Sequence, residues 1–315
     1  MSRRGWLLFA TMGVIWGIPY LLIRVAVREV APPTLVFLRT APGGLILLPL
    51  LLRRETLRAL LAHWRAVLVY TFAELGIPWL LLFRSEQRIS SSLAGLLIAS
   101  VPLVAVLLSR LTNHEGPLGA GRLLGLAVGL AGVGILVGAD VHGSNLIAFG
   151  EIGVVAVGYA VGPYVVSRYL KEVPASGVVT ASLLLTAIVY APVGLTHLPA
   201  HLHAEELGAL AVLIVVCTAL AFVIFFSLIA EVGPSRATVI TYVNPAVAVV
   251  LGIALLHERF SLGIALGFPL ILLGSFLGTG GRSRARSAAD EVAALPPESL
   301  GEAGGAVEGG AAAGL

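Results

Sequence analysis

Long apolar runs separated by short polar segments form the most regular pattern in this sequence. A run of about 20 apolar residues is long enough to cross the hydrocarbon core of a bilayer as an α-helix. Ten such runs lie at roughly 6–27, 34–52, 65–84, 90–110, 119–138, 147–170, 176–196, 207–229, 235–256 and 261–280. The pattern therefore predicts an all-α membrane protein with ten transmembrane helices.

The second feature of the pattern is an internal duplication. Pro102 and Glu115 are 13 residues apart, and so are Pro245 and Glu258, at an offset of 143 residues. In each copy an apolar helix with a central proline is followed by a short turn and a Gly-rich apolar helix. A repeat of this length and apolarity predicts a duplicated membrane domain.

The predicted repeats contain five helices each, in residues 1–140 and 141–280. Because five is odd, the second repeat begins on the opposite side of the membrane, so the two repeats are expected to be inverted. The first helix of each half agrees with this arrangement, since Pro19 and Pro163 occupy corresponding positions 144 residues apart.

Basic residues are distributed unequally between the two sides of the predicted helices. With the N-terminus inside, the inner segments hold 14 Arg and Lys residues and the outer segments hold four. Cytoplasmic loops carry the excess of basic residues, so both termini are expected in the cytoplasm and the protein in the plasma membrane. Residues 281–315 are rich in Ala, Gly and Glu without an aromatic residue, and they are predicted to form a disordered cytoplasmic tail.

Composition excludes several classes of protein. The chain is 58% hydrophobic and 12% charged, whereas soluble domains carry about 25% charged residues. The net charge of +3 does not indicate binding to nucleic acid. The one cysteine, Cys217, excludes an internal disulfide and a Cys-rich metal site. We expect no metal and no cofactor, a small-molecule substrate and the lipid bilayer as partners, and a monomer or homodimer.

Glu74 stands out as an ionisable residue inside a predicted helix. It lies nine residues beyond Arg65, which is roughly 14 Å at 1.5 Å per residue, near the middle of a core about 30 Å thick. A carboxyl group at this depth is expected to be protonated much of the time. It would couple transport to protons or bind a substrate amine. The alternative is a neutral, hydrogen-bonded glutamic acid that joins two helices.

Aromatic and polar side chains recur at the predicted depth of Glu74. Trp16 and Tyr20, four residues apart, share one face of the first helix. For any one of these residues alone, helix packing is the simpler explanation, but together they favour the wall of a central cavity. The predicted cavity residues are Trp16, Tyr20, Glu74, Tyr159, Tyr164, Tyr242 and Asn244.

Prolines inside the predicted helices recur in both halves. Pro19 corresponds to Pro163, and Pro102 corresponds to Pro245. A proline removes one intrahelical hydrogen bond and kinks the helix, which membranes tolerate where the freed carbonyls find partners. We predict that these four prolines act as hinges, and the alternative is a static contribution to helix shape.

Three further features have structural explanations. Arg39, roughly 8 Å below the outer face, is expected to extend to the surface or to pair with Glu151. Glu115 and Glu258 lie in predicted turns, where they are expected to brace a helix start or the turn itself. Small residues four positions apart predict close helix packing, and these are Gly121, Gly125 and Gly129 in the fifth helix and Gly263 and Gly267 in the tenth.

At these positions the chain resembles an EamA-type member of the drug/metabolite transporter superfamily. The resemblance covers residues 5–280 and implies a ten-helix inverted-repeat transporter with helices one, three, four, six, eight and nine around a central cavity. Asn113-His114 stands where the family usually has a Gly before the Glu. The matching elements are Trp16-Gly17, Phe37-Leu38-Arg39, the helix from Ser91 to Pro102, and the Glu that closes the fourth helix of each half.

The leading functional hypothesis is a secondary transporter that exports small organic metabolites, amino acids or drugs by alternating access, with Glu74 providing proton coupling. A phosphate-sugar carrier is a weaker alternative, because it would need basic residues at the midplane and the predicted topology places none there. A non-transporting scaffold or receptor is the third alternative, although a scaffold does not need polar groups at the midplane. The chain lacks His-Glu-x-x-His and membrane aspartates, so an intramembrane enzyme is not expected. It also lacks a nucleotide-binding loop, so ATP-driven transport by this chain alone is not expected.

Overall fold

The fold is described from a computed structural model of the chain. The structure describes residues 1–111, 119–138, 145–233 and 237–293, and within these ranges all regular elements are helical. In chain order they are α1 (Arg3–Ala26), α2 (Pro32–Leu51), α3 (Arg54–Ala62), α4 (Trp64–Ser85), α5 (Ser91–Leu111), α6 (Ala120–Gly138), α7 (Asn145–Tyr169), α8 (Ala175–Thr196), α9 (Ala204–Val232), α10 (Val239–Leu256) and α11 (Leu262–Ala293).

Nine of the described helices are long and apolar enough to cross a membrane. They are all of those above except α3, which is short and amphipathic, and α11, whose apolar part Leu262–Gly278 is shorter. The all-α membrane class is therefore confirmed. The tenth crossing, the inverted relation of the repeats and the disordered tail stay predictions. Of the predicted tail, residues 281–293 continue α11 as a helix, and residues 294–315 lie outside the described ranges.

Two helices contain a π-turn, in which the backbone makes one wider turn than an α-helix. These turns are Thr71–Gly76 in α4 and Val215–Leu220 in α9. They occupy corresponding positions in the two predicted repeats, because Val215 follows Thr71 by 144 residues. π-turns are rare and are frequent at functional sites, so this matched pair draws attention to the side chains around it.

Three of the four predicted hinge prolines follow irregular backbone. α1 and α5 are each interrupted just before a proline, Pro19 and Pro102 respectively. α10 opens with a 3₁₀ turn ahead of Pro245. These interruptions arise because proline cannot donate a backbone hydrogen bond and disfavours helical geometry in the preceding residue. Pro163 lies within the unbroken α7.

Helices α6 and α11 pack with their backbones close together. A Cβ atom added to Gly132 would lie 2.8 Å from the carbonyl oxygen of Gly267, and one added to Gly274 would meet the backbone of Gly129. The prediction of close packing is therefore confirmed for Gly125, Gly129 and Gly267, but Gly121 has open space around it.

The largest apolar cluster contains buried side chains from every described helix except α3. Its fully buried side chains exclude water from the space where these helices meet, so any polar group there must find its partners within the protein. The most buried large side chains of the cluster are Ile23, Leu35, Phe83, Leu96, Leu183 and Leu213.

Candidate functional site

Arg39 occupies the middle of a group of polar and aromatic side chains that we call the polar centre. Its guanidinium carbon lies 3.8 Å from the centroid of the Trp79 ring, and its Nε donates to Thr218 Oγ1 at 2.9 Å. Only 5% of Arg39 is exposed. A cation above an indole face is attracted by the ring electrons, and more strongly where water is excluded. The polar centre consists of Tyr20, Arg39, Glu74, Trp79, Tyr159 and Thr218.

Both expectations for Arg39 are wrong. The side chain does not extend to the surface, because Trp79 and Thr218 provide partners inside the helix bundle. Pairing with Glu151 does not occur either, because this carboxylate is occupied by Arg84 at 3.1 Å and Arg88 at 3.0 Å. A basic group therefore lies among the predicted cavity residues, which removes the argument used against carriers of anionic substrates.

Glu74 sits in the π-turn of α4 and faces α7. Its Oε2 is enclosed and has no hydrogen-bond partner in the part of the chain that the structure describes. Gly162 of α7 packs against the carboxyl group so closely that a Cβ atom there would collide with Oε2. Buried polar atoms in proteins are nearly always satisfied. An enclosed carboxyl oxygen that lacks a partner is therefore suited to accept a proton or a ligand.

Tyr159 connects the two charged residues of the polar centre. Its side chain lies near Trp79 and near both Glu74 and Arg39. Tyr20 is buried beside Tyr159 and Arg39. The structure thus brings together three of the predicted cavity residues from three helices.

Other predicted cavity residues form a neighbouring group. The Trp16 ring packs against Phe225 of α9 at 4.6 Å and against Phe222 at 6.1 Å between ring centroids. With its amide oriented to satisfy its hydrogen bonds, Asn244 donates to the carbonyl oxygens of Gly13 at 3.1 Å and Ile240 at 3.0 Å. This amide therefore ties α10 to α1.

The remaining two predicted cavity residues, Tyr164 and Tyr242, are partly buried. For these residues, as for Trp16 and Asn244, a cavity role stays a prediction.

Polar side chains bond to carbonyl groups in and beside the π-turns. The Tyr190 hydroxyl of α8 donates to the Gly76 carbonyl at 2.9 Å. In α9, Arg39 donates through Nη2 to the Cys217 carbonyl at 3.5 Å, and the Thr218 hydroxyl donates to the Leu213 carbonyl at 2.8 Å. Irregular backbone inside a membrane needs such partners, so both π-turns are stabilised by the surrounding fold.

Glu86, directly after α4, is a buried carboxyl group that the sequence did not reveal as a candidate. It has no exposed surface, and neither carboxyl oxygen has a hydrogen-bond partner within the described residues. Burial raises the pKa of Glu86 well above its usual range, and nearby Arg24 and Arg39 oppose this shift. Glu86 lies between Arg84 and Arg88 at the end of an apolar run, where the periodicity of the sequence carries no signal for burial.

Glu258 braces the start of α5. Its carboxylate accepts the backbone N–H and the hydroxyl of both Ser91 and Ser92, at distances from 2.5 to 3.0 Å. Negative charge is stabilising at a helix N-terminus because unpaired N–H groups point toward it. The predicted helix-start role is therefore confirmed for Glu258, whereas Glu115 lies outside the described residues.

The comparison with known proteins gives the family. The sequence profile described as the EamA-like transporter family matches twice, at residues 3–138 and 150–279. The chain belongs to this transporter family. Within the described residues, no group of three or more His, Cys, Asp or Glu side chains is placed to hold a metal ion.

Relatives match over most of their length. The uncharacterized inner membrane transporter YedA of Escherichia coli strain K12 is 31% identical over 288 residues, which cover 84% of this chain and 89% of YedA. The uncharacterized transporter YoaV of Bacillus subtilis is 22% identical, over 84% of this chain and 93% of YoaV. The fold is also similar to that of a protein crystal structure, with a TM-score of 0.63 and 23% sequence identity. The match covers 89% of this chain and 98% of the chain in that crystal structure, which supports the fold.

Proposed function

We propose that this protein is a secondary transporter of the plasma membrane that exports small organic metabolites, amino acids or drugs by alternating access. The observation that carries the proposal is the polar centre, where the enclosed Oε2 of Glu74 belongs to the π-turn of α4 and the buried Arg39 bonds to the π-turn of α9. Charged groups inside a membrane are costly and are typically found where ions or substrates bind. Membership of a transporter family and the name of the inner membrane relative YedA support the same conclusion.

Glu74 is proposed to carry the coupled proton. When the carboxyl group is neutral, the missing hydrogen-bond partner of the enclosed Oε2 costs little free energy. When the group is ionised, a substrate cation or a proton would bind there favourably. Proton and substrate would then compete for one site, or both would bias the same rearrangement between outward-facing and inward-facing states. The irregular backbone before Pro19, Pro102 and Pro245 supports movement at those positions.

Arg39 makes an anionic or zwitterionic substrate more favourable than the sequence suggested. Its guanidinium is held by an aromatic face, one hydroxyl group and one carbonyl group, and it makes no ion pair within the described residues. A carboxylate or phosphate of a substrate would therefore find a cation available in the polar centre. Amino acids and phosphate sugars should accordingly both be included among the substrates tested.

The proposed function is tested in two stages. Untargeted comparison of metabolites in cells with and without the protein selects candidates, and counterflow of each labelled candidate into proteoliposomes measures transport directly. We expect at least one candidate to be exchanged by the purified protein. If the protein changes no metabolite level and exchanges none of the candidates, the result favours the scaffold or receptor alternative over transport.

Variants of the predicted cavity then test its location. Trp16→Ala and Tyr242→Ala should reduce counterflow at unchanged protein abundance, because each removes a large aromatic surface from the proposed cavity wall. Trp6→Ala serves as the matched control, since Trp6 is 58% exposed and is not among the predicted cavity residues. Normal counterflow in both cavity variants would contradict the assignment of these two residues.

A further inference from the structure

A cleft of about 800 Å³ opens between α4 and α7, separate from the polar centre. It lies where α4 begins and α7 ends, and the predicted topology places this end of both helices at the cytoplasmic face. Its wall combines two arginines, a histidine and two aromatic residues with small apolar side chains. The lining residues that matter for its chemistry are His63, Trp64, Arg65, Val69, Arg168 and Tyr169.

Small residues explain why the cleft forms at this point. Farther along the two helices, Gly158 of α7 lies against Pro78 of α4, where an added Cβ atom would be 2.8 Å from the proline ring. Gly162 lies against Glu74 in the same way. Beyond these glycines, Val165 of α7 and Val69 of α4 line the cleft. The helices α4 and α7 touch at the glycines and separate beyond them, so an opening remains between their ends.

The two arginines of the cleft have no carboxylate partner among the described residues. Their guanidinium carbons lie over neighbouring aromatic rings instead, Arg65 at 5.3 Å from the Trp64 ring and Arg168 at 5.8 Å from the Tyr169 ring. Two uncompensated cations facing one cleft attract an anion. Arginine also presents several N–H donors that match the oxygen atoms of a phosphate group.

The surroundings of the cleft are those of a membrane interface. Trp64 is 52% exposed and Tyr169 is 54% exposed at the helix ends, where aromatic residues typically sit at the level of lipid headgroups. Farther along α4, Val69 and Phe72 are exposed apolar side chains. The cleft therefore joins a cationic end to an apolar surface that faces the lipid.

We propose that this cleft binds the headgroup phosphate of an anionic phospholipid from the cytoplasmic leaflet, with an acyl chain lying along Val69 and Phe72. The combination of uncompensated arginines, exposed ring systems and an adjoining apolar surface fits this ligand. Basic pockets between transmembrane helices on the cytoplasmic side are known to bind such headgroups. A free phosphate would use the arginines but not the apolar surface. The site does not depend on the proposed transport function.

Native mass spectrometry of the delipidated, purified protein tests this site. Phosphatidylglycerol is titrated against the wild type, with phosphatidylcholine of the same acyl chains as the neutral comparison. The double variant Arg65→Gln/Arg168→Gln should bind phosphatidylglycerol about thirty-fold more weakly. Arg3→Gln/Arg4→Gln loses the same charge from exposed residues at the same predicted face and should bind like the wild type.

A second measurement leaves the arginines intact. Phosphatidylglycerol with brominated acyl chains should quench the tryptophan fluorescence of the wild type more than that of Trp64→Phe, because Trp64 borders the cleft. Three results would each overturn the proposal: equal affinity for the two lipids, equal loss in the two double variants, or displacement of phosphatidylglycerol by excess inorganic phosphate. Unchanged quenching in Trp64→Phe would also contradict it.

Discussion

At the scale of single residues, the polar centre depends on how Arg39 is held. A buried guanidinium paired with a carboxylate would be neutralised, and its charge would contribute little to recognition of a substrate. Trp79 and Thr218 instead stabilise the cation without cancelling its charge. Contact with a tryptophan face contributes about 1 to 2 kcal/mol. Arg39 is therefore both stabilised within the bundle and available to an anionic group.

The contacts of Glu258 predict a stability effect at the same scale. Glu258→Ala removes four hydrogen bonds from the start of α5 and should lower the free energy of unfolding by about 2 to 3 kcal/mol. Glu29→Ala is the control, because Glu29 is exposed and should change stability by less than about 0.5 kcal/mol. Denaturant unfolding in detergent measures both, and equal stability of the two variants would refute the helix-start role.

At the scale of helices, the two π-turns set the direction of the groups in the polar centre. A π-turn adds one residue to a helical turn, which rotates the following side chains relative to an unbroken α-helix. In α4 the turn contains Glu74, and Trp79 follows it; in α9 the turn contains Thr218. Both turns contribute a side chain to the polar centre, so the irregular geometry serves the proposed site in each half.

The packing of α6 against α11 predicts a sharp difference between two glycines. Gly274→Ala places a Cβ atom against the backbone of Gly129, and overpacking of this kind should cost about 1 to 3 kcal/mol. Gly134→Ala, in α6 with open space around it, should be neutral or stabilising by up to about 1 kcal/mol, because alanine favours the helix. Thermal unfolding in detergent compares them, and similar midpoints would show that the helices do not pack as described.

At the scale of the whole molecule, the sequence predicted the features that depend on the periodicity of apolar residues and on depth in the bilayer. Apolar runs determine helices, so the helical class and the mid-helix position of Glu74 could be anticipated. The rotation of each helix about its axis depends on packing with its neighbours. The contacts of Arg39 with Trp79 and Thr218 could therefore not be anticipated from the sequence. Glu86 shows the same limit, because its burial depends on the segments that pack around the end of α4 in the folded chain.

The topology gives the next prediction at this scale. In a background with Cys217→Ala, His142→Cys should react with an impermeant thiol reagent from outside the cell, and Asp290→Cys only from the cytoplasm. The expectation rests on the excess of 14 inner over four outer basic residues and on the positive-inside rule. Labelling of both positions from one side would contradict a chain with ten crossings and a cytoplasmic C-terminus.

The central claim is that Glu74 couples a proton to transport, and flux in proteoliposomes with and without an imposed pH gradient tests it most directly. Glu74→Gln keeps the shape of the side chain but cannot titrate. It should lose gradient-driven accumulation of the substrate while retaining exchange at equilibrium. The exposed Glu29→Gln should behave like the wild type in both assays. Equal stimulation by the gradient in wild type and Glu74→Gln would contradict the account and leave Glu74 as a neutral structural residue.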